Sequence, residues 1–206
     1  MVIDKIHYIS QVPEHGSHLT AIEKVLRSGG KWIQLRVKEQ EENAVLDLAI
    51  AARRLCTQYA AKLIINDYPG IAMQCNADGV HLGLDDMPVT EARAMLGKSK
   101  CIGGTANTFE DIQRRTAEGV DYIGLGPFRF TTTKKNLSPV LGLEGYISLM
   151  EQVQKAGIHI PVIAIGGIEL DDIRPLLSTG LHGIAVSGLL TRNNNLNKEF
   201  YVDYSR

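Results

Sequence analysis

Residues 162–188 read VIAIGGIELDDIRPLLSTGLHGIAVSG, and this stretch contains one complete strand–helix–strand unit. Two short apolar runs, at residues 162–165 and 183–186, flank a segment of helical periodicity at residues 170–177. Short apolar runs of this kind are typical of buried strands. The pair Thr179-Gly180 is typical of a helix C-terminus. The stretch therefore predicts two parallel strands joined by a helix.

The same alternation extends along the whole chain. Apolar runs occur at residues 3–9, 32–37, 62–65, 79–82, 100–103, 122–125, 162–165 and 183–186. Helical periodicity occupies residues 18–27, 42–59, 89–96, 109–117, 143–155 and 170–177, with a short candidate helix at 69–75 and a last helix within 193–206. Eight such units in 206 residues favour a closed barrel over a doubly wound sheet. We therefore predict an α/β fold, a single (β/α)₈ TIM barrel, with one domain over residues 1–206.

Composition and charge exclude several classes of partner. The formal net charge is −1, so no overall basic field attracts nucleic acid. The three cysteines, Cys56, Cys75 and Cys101, show no metal-ligand spacing, and the N-terminal stretch lacks the pattern of a secretion signal. We therefore expect a reducing, cytoplasmic location. No apolar run approaches the length of about 18 residues that a membrane helix needs, so we expect no membrane partner.

Polar side chains alternate along the second apolar run. Gln34, Arg36 and Lys38 share one face of the extended chain, while Leu35 and Val37 share the other. Active sites of such barrels lie at the carboxyl ends of the strands. Unpaired cations buried inside a packed barrel would be very costly. The pattern favours an anion clamp at the barrel mouth, and a merely solvated strand end is the alternative.

Carboxylates follow the third and fourth apolar runs. Asp67 comes after Asn66, and Asp86 lies three residues beyond Gly83. Two carboxylates next to a cationic clamp indicate a divalent cation that bridges to phosphate oxygens, a task that suits Mg²⁺. The alternative is that both aspartates are helix N-caps. His81 lies within the fourth run, where a hydrogen-bonded core histidine is the expected role.

A second group of anion-binding signals follows the last three strands. Residues 126–142 form a long loop with three threonines and two lysines, which suits a phosphate-binding lid; a mobile surface loop is the alternative. Gly166-Gly167 follows the seventh run, and Ser187-Gly188 follows the eighth. Barrels often hold phosphate between these two loops, on backbone N–H groups that glycine lets the ligand approach. The sequence therefore predicts two anion sites at one mouth.

These motifs together resemble the thiamine-phosphate synthase family over residues 6–190. The family joins hydroxymethylpyrimidine diphosphate to hydroxyethylthiazole phosphate and releases diphosphate. The resemblance implies catalytic, diphosphate-binding roles for Arg36, Lys38 and Lys134. It also implies that Asp67 and Asp86 hold Mg²⁺. The other substrate contacts that it implies are Gln34, Asn66 and Thr105 for the diphosphate, and Thr131, Thr133, Gly167, Val186 and Ser187 for the thiazole phosphate.

Several positions differ from the usual pattern of the family. Leu84 replaces glutamine, Thr105 replaces serine, Asn107 replaces histidine, and Arg129-Phe130 replaces an aromatic residue and proline. Three alternatives stay open: a related thiazole tautomerase, a sugar-phosphate epimerase or isomerase, and a non-catalytic barrel that binds thiazole phosphate. The sequence also leaves assembly into a homo-oligomer open.

Overall fold

The computed structural model describes residues 1–130, 139–193 and 198–204. Within these ranges eight parallel strands close a barrel, each pairing with its sequence neighbours and the last returning to the first. The strands are β1 Ile6–Ile9, β2 Trp32–Leu35, β3 Lys62–Asn66, β4 Gly79–Leu82, β5 Cys101–Ala106, β6 Tyr122–Leu125, β7 Val162–Ile165 and β8 Gly183–Val186. The predicted (β/α)₈ barrel is confirmed. The single domain over residues 1–206 stays a prediction.

Helices follow the strands and cover the outside of the barrel. They are α1 His18–Arg27, α2 Glu42–Gln58, α3 Pro69–Gln74, α4 Val89–Leu96, α5 Phe109–Glu118, α6 Gly142–Lys155, α7 Ile173–Leu177, α8 Gly188–Arg192 and α9 Lys198–Tyr204. The predicted helix at 170–177 begins instead as a 3₁₀ turn, Leu170–Asp172, whose Asp172 side chain accepts the Glu169 N–H at 2.8 Å. The five-residue α8 has no counterpart among the predicted helices.

Strand bounds differ from the predicted ones by at most three residues. The first strand begins at Ile6 rather than Ile3, because the Ile6 N–H is taken by the Asp4 carboxylate at 2.9 Å. The fifth continues to Ala106, since Gly104 and Thr105 stay paired with β6. None of the helices in these ranges combines the length and apolar character needed to cross a bilayer.

The barrel interior is filled by large side chains from alternate strand positions. His7 stacks on Trp32 with ring centroids 4.6 Å apart, and Tyr122 meets both rings edge-on. Burial lowers the pKa of His7 to about 3, so the ring is neutral, and its Nε2 lies 2.8 Å from the Asp4 carbonyl oxygen. This packed layer fills the barrel interior below the cavity that opens at the carboxyl ends of the strands.

Two aspartates tie the opposite, N-terminal face together. Asp78 precedes β4, and its carboxylate accepts the Leu63 N–H of β3 at 2.9 Å. Asp121 precedes β6 and accepts the Ile102 N–H of β5 at 2.7 Å. Each carboxylate also pairs with an arginine, Arg53 and Arg93 respectively. The role of these two aspartates is structural, because they lie at the end of the barrel away from the mouth and bond to neighbouring strands.

Candidate active site

The carboxyl ends of the strands open into one cavity of about 970 Å³. Residues at or just after all eight strands contribute to its wall. Of the residues named above for a ligand-binding role, the following line it: Gln34, Arg36, Lys38, Asn66, Asp67, Asp86, Thr105, Gly167, Val186 and Ser187. Thr131, Thr133 and Lys134 lie outside the described residues. The structure therefore brings every described candidate to one place.

The cations at the end of β2 face this cavity. Gln34 is buried within the strand, Arg36 is partly buried just beyond it, and Lys38 is exposed. Leu35 and Val37 pack instead into the apolar layer beneath the helices. Burial lowers the pKa of the Arg36 guanidinium, and the nearby charge of Asp67 opposes that effect. A partly desolvated cation of this kind interacts strongly with an incoming anion.

The loop after β1 fixes the backbone from which Arg36 projects. The Arg36 N–H donates to the Ser10 hydroxyl at 3.1 Å, and that hydroxyl also lies 2.9 Å from His18 Nδ1. The Ser10 N–H in turn donates to the Gln34 carbonyl oxygen at 2.9 Å. The turn that carries the cations is thus bonded to the neighbouring strand end. Sequence reasoning did not identify Ser10 because its partners Gln34 and Arg36 lie on the neighbouring strand end, and His18 acts only through Ser10.

Asp67 and Asp86 lie side by side next to the cations. Burial, a hydrogen bond with Asp86 and the charge of Asp86 raise the pKa of Asp67 to about 7, although Arg36 and Lys38 oppose the shift. Asp67 has a left-handed backbone with φ of 68°, a conformation rare outside glycine that is often found at functional sites. Its N–H is held by the His81 carbonyl oxygen at 2.9 Å.

The acidic pair has the donor set expected for a hard divalent cation. Two carboxylates in mutual contact repel each other unless a proton or a cation lies between them. Mg²⁺ commonly takes one or two carboxylates and completes its shell with water and substrate oxygens. In the described ranges no group of three or more histidine, cysteine, aspartate or glutamate side chains could hold a metal ion. An ion held by Asp67 and Asp86 would therefore need further oxygen ligands from water and substrate. The residues therefore fit Mg²⁺ that arrives with a phosphorylated ligand.

The alternative role of these aspartates as helix N-caps is wrong. Helix α3 is preceded by Tyr68 and α4 by Pro88, and neither N-terminus has a side-chain cap. The Asp86 carboxylate instead turns back to accept the Gly83 N–H at 2.5 Å. That bond orients one oxygen of Asp86 on the end of β4.

A buried polar network forms the floor of the cavity between β4, β5 and β6. His81 Nδ1 lies 3.1 Å from the Tyr122 hydroxyl, and His81 Nε2 lies 3.1 Å from the Thr105 hydroxyl. The expectation of a hydrogen-bonded core histidine is confirmed, and His81 also reaches the cavity wall. Thr105, which replaces the usual serine, keeps a hydroxyl at the cavity wall.

An arginine beneath the same floor was missed from the sequence. Arg115 of α5 is 4% exposed, and its guanidinium donates to the carbonyl oxygens of Thr105 (3.1 Å) and Gly83 (2.6 Å). It also pairs with Glu118 at 2.8 Å. One side chain therefore fixes the ends of two neighbouring strands. The only signal was its spacing: Arg115 lies three residues after Ile112, on the inward face of the helix.

The loops after β6 and β7 pack against each other on the other side of the mouth. The Phe128 N–H donates to the Ile165 carbonyl oxygen, and the Arg129 N–H donates to the Gly166 carbonyl oxygen, both at 2.9 Å. The Arg129 guanidinium forks onto Asp172 and reaches the Gly167 carbonyl oxygen at 2.6 Å. Gly167 has φ of 68°, and a Cβ there would lie 2.9 Å from Arg129 Cβ. This backbone conformation and close approach both require glycine.

Ser187 and the remaining departures from the family pattern, Asn107, Leu84 and Phe130, have distinct surroundings. Ser187, after β8, donates from its hydroxyl to Gln11 Oε1 at 3.0 Å. Asn107, in place of histidine, donates its side-chain N–H to the Gly126 carbonyl oxygen. Leu84 and Phe130 line the cavity, and Phe130 is 68% exposed. The Asn107 amide therefore ties β5 to the start of the loop after β6.

Comparison with known proteins places these features in one family. The sequence profile described as thiamine monophosphate synthase matches residues 7–190. The chain is 52% identical to the thiamine-phosphate synthase of Flavobacterium psychrophilum over 192 residues, 93% of each chain. It is 52% identical to that of Bacteroides fragilis over 185 residues, 90% of this chain and 91% of the relative. The solved thiamine phosphate pyrophosphorylase from Pyrococcus furiosus superposes with a TM-score of 0.80 at 28% identity, covering 97% of this chain and 96% of that one.

Proposed function

The chain belongs to the thiamine monophosphate synthase family, and on that premise we propose that it joins hydroxymethylpyrimidine diphosphate to hydroxyethylthiazole phosphate. The products are thiamine phosphate and diphosphate, which makes the protein a transferase. The observation that carries this proposal is that one cavity contains two different groups of anion-binding residues. On one side, after β2–β4, lie Arg36, Lys38 and the acidic pair. On the other side, after β7 and β8, lie the glycine turn and Ser187. A reaction between two phosphorylated substrates needs two such subsites within one mouth.

The residues of β2, β3 and β5 hold the departing diphosphate. Charge develops on the diphosphate oxygen as its bond to the pyrimidine methylene breaks and the electron pair leaves with the diphosphate. Fixed donors and cations lower the free energy of that charge because they are already oriented before the reaction. The residues assigned to this task are Gln34, Arg36, Lys38, Asn66, Thr105 and, outside the described residues, Lys134.

Asp67 and Asp86 would hold Mg²⁺ at the same subsite. The fit rests on the mutual contact of the two carboxylates, which adds to burial in raising the pKa of Asp67. When bound, the ion would neutralise charge on the diphosphate oxygens. Asp85 also lines the cavity and is not assigned to the ion.

The turns after β7 and β8 hold the phosphate of the thiazole. Gly167 leaves the backbone accessible, Val186 ends the strand, and Ser187 supplies a hydroxyl at the cavity wall. Thr131 and Thr133 are assigned to the same phosphate as predictions, since they lie outside the described residues. The thiazole nitrogen then attacks the pyrimidine carbon, which requires the two substrates to be held together but no general acid.

The alternatives are not favoured by the comparisons. The relatives are named as synthases, and a tautomerase would not need the combined cations and carboxylates of the β2–β4 side.

We place the protein in the cytoplasm because its three described cysteines are free, and burial raises the pKa of two of them, Cys56 and Cys101, to about 12. A homo-oligomeric state is part of the proposal, and no nucleic acid partner is expected.

Incubation of the purified protein with both substrates and Mg²⁺ tests the proposal. Thiamine phosphate and diphosphate should appear in equal amounts, and neither should form when one substrate or the metal is withheld. Isomerisation of a thiazole without condensation would support the tautomerase instead. Binding of thiazole phosphate with no product under any condition would support the non-catalytic barrel.

A further inference from the structure

Arg192, the last residue of α8, extends over the turn that follows β8. Its side chain is 67% exposed, and it lines the same cavity as Gly167 and Ser187. A Cβ built on Gly188 would lie 2.4 Å from Arg192 Nη1 and 2.9 Å from Cζ. The guanidinium therefore occupies the space in which a side chain at position 188 would lie, one residue from Ser187.

This placement follows from helix geometry. Helical side chains lean toward the N-terminus, and residues four apart share one face. Arg192 is the fourth residue after Gly188, so its side chain runs back along the helix toward the mouth. Because Gly188 has no side chain, the guanidinium can reach the first turn of α8. A larger residue at position 188 would force it outward.

Arg192 pairs with a carboxylate from the neighbouring loop. Arg192 Nη2 donates to Glu169 Oε1 at 3.1 Å, and Glu169 lies two residues after Gly167. Both side chains are exposed, at 67% and 55%. Exposed ion pairs contribute little to stability, so a stronger anion can displace this carboxylate at small cost.

The distribution of charge on the cavity wall gives Arg192 a separate task from the other cations. In the described part of the chain the wall carries three lysine or arginine side chains: Arg36, Lys38 and Arg192. The first two follow β2, next to the acidic pair, whereas Arg192 adjoins the turns after β7 and β8. We propose that Arg192 binds the phosphate of the thiazole substrate, exchanging Glu169 for it, an inference that rests on the proposed function.

Calorimetric binding of hydroxyethylthiazole phosphate to Arg192→Gln and to the unaltered protein tests this role without turnover. Loss of a charge-assisted contact should weaken binding about ten- to a hundredfold. Binding of the unphosphorylated hydroxyethylthiazole should not change, because it lacks the group that Arg192 contacts. Arg192→Lys keeps the charge but not the planar fork and should give an intermediate loss. Glu169→Gln removes the competing carboxylate and should tighten binding by up to about fivefold.

Arg27→Gln is the matched control, since Arg27 forms an exposed pair with Glu23 on α1, away from the cavity. It should bind both thiazoles normally. The inference would be overturned if Arg192→Gln bound thiazole phosphate normally, or if it bound the phosphorylated and unphosphorylated thiazoles with equally reduced affinity. In turnover, the variant should raise the KM for thiazole phosphate and leave the KM for pyrimidine diphosphate unchanged. If the unaltered protein binds thiazole phosphate through Arg192 but forms no thiamine phosphate, the proposed function fails and the inference stands.

Discussion

Replacing Arg115 by alanine should destabilise the protein far more than replacing its chain neighbour Arg114. Arg115 is almost fully buried and donates to the carbonyl oxygens of Thr105 and Gly83, whereas the Arg114 side chain is 51% exposed. Two buried carbonyl oxygens left without donors cost about 1–3 kcal/mol each. Water entering the new space recovers part of that cost, so we expect a loss of about 2–4 kcal/mol in the free energy of unfolding.

That loss corresponds to a fall in Tm of roughly 4–16 °C for a chain of this size. Urea unfolding followed by circular dichroism measures the free energy, and Arg114→Ala serves as the control with an expected change within about 0.5 kcal/mol. Arg115→Lys keeps a charge but cannot span both carbonyl oxygens, so it should lie between alanine and the unaltered chain. Equal losses for the alanine variants at positions 114 and 115 would show that the buried guanidinium does not hold the two strand ends.

Three further changes test the site and the core. Arg36→Ala should lower kcat/KM about ten- to a hundredfold through lost diphosphate binding, while Val37→Ala should change mainly stability; similar kinetics for the two variants would contradict the assigned faces. Asp86→Asn keeps an oxygen for the Gly83 N–H but should raise the Mg²⁺ concentration that activity requires, whereas Asp85→Asn should have a mild effect; a Mg²⁺ titration showing the reverse order would refute the assignment. Burial lowers the pKa of His7 in the folded protein to about 3, whereas the pKa of a histidine in the unfolded chain is about 6.5. Between these two pH values the unfolded chain therefore binds one more proton than the folded protein. The contribution of His7 to the free energy of unfolding should be fully present above about pH 6.5 and should decline toward pH 3. Across this range the free energy of unfolding of the unaltered protein should fall by up to about 1.4 kcal/mol per pH unit through His7, and His7→Gln should lack that part of the slope. An unchanged slope in His7→Gln would contradict a neutral buried ring.

The barrel and the location of its mouth could be predicted because both depend on short-range patterns. Apolar runs alternate with helical segments, and glycines such as Gly119 and Gly157 end helices with positive φ. In a parallel barrel the residue after each strand points to one end, so Asp67 and Ser187 could be assigned to the same mouth from their positions alone. Asp67 needed no further contact information, because the strand before it was unambiguous.

The contacts that support the site could not be predicted in the same way. Arg115 acts on Gly83, 32 residues away in the chain, and Arg192 meets Glu169 across 23 residues. Nothing in the local sequence specifies such a partner, since an arginine on a helix is usually solvated. The five-residue α8 was missed for a related reason: it is too short to show a helical period, and its stability comes from packing.

The ties made by Asp78 and Asp121 have a consequence for how such a protein can diversify. A parallel strand can slip by two residues and still present the same faces to core and helices. A carboxylate bonded to a particular N–H of the neighbouring strand penalises that slip, and here it does so from the face remote from the mouth. Strand alignment is thereby independent of the loops that contact substrate. Loops of different length and chemistry can be grafted at the mouth while the strands below keep their alignment, which makes this scaffold suited to acquiring new phosphorylated ligands.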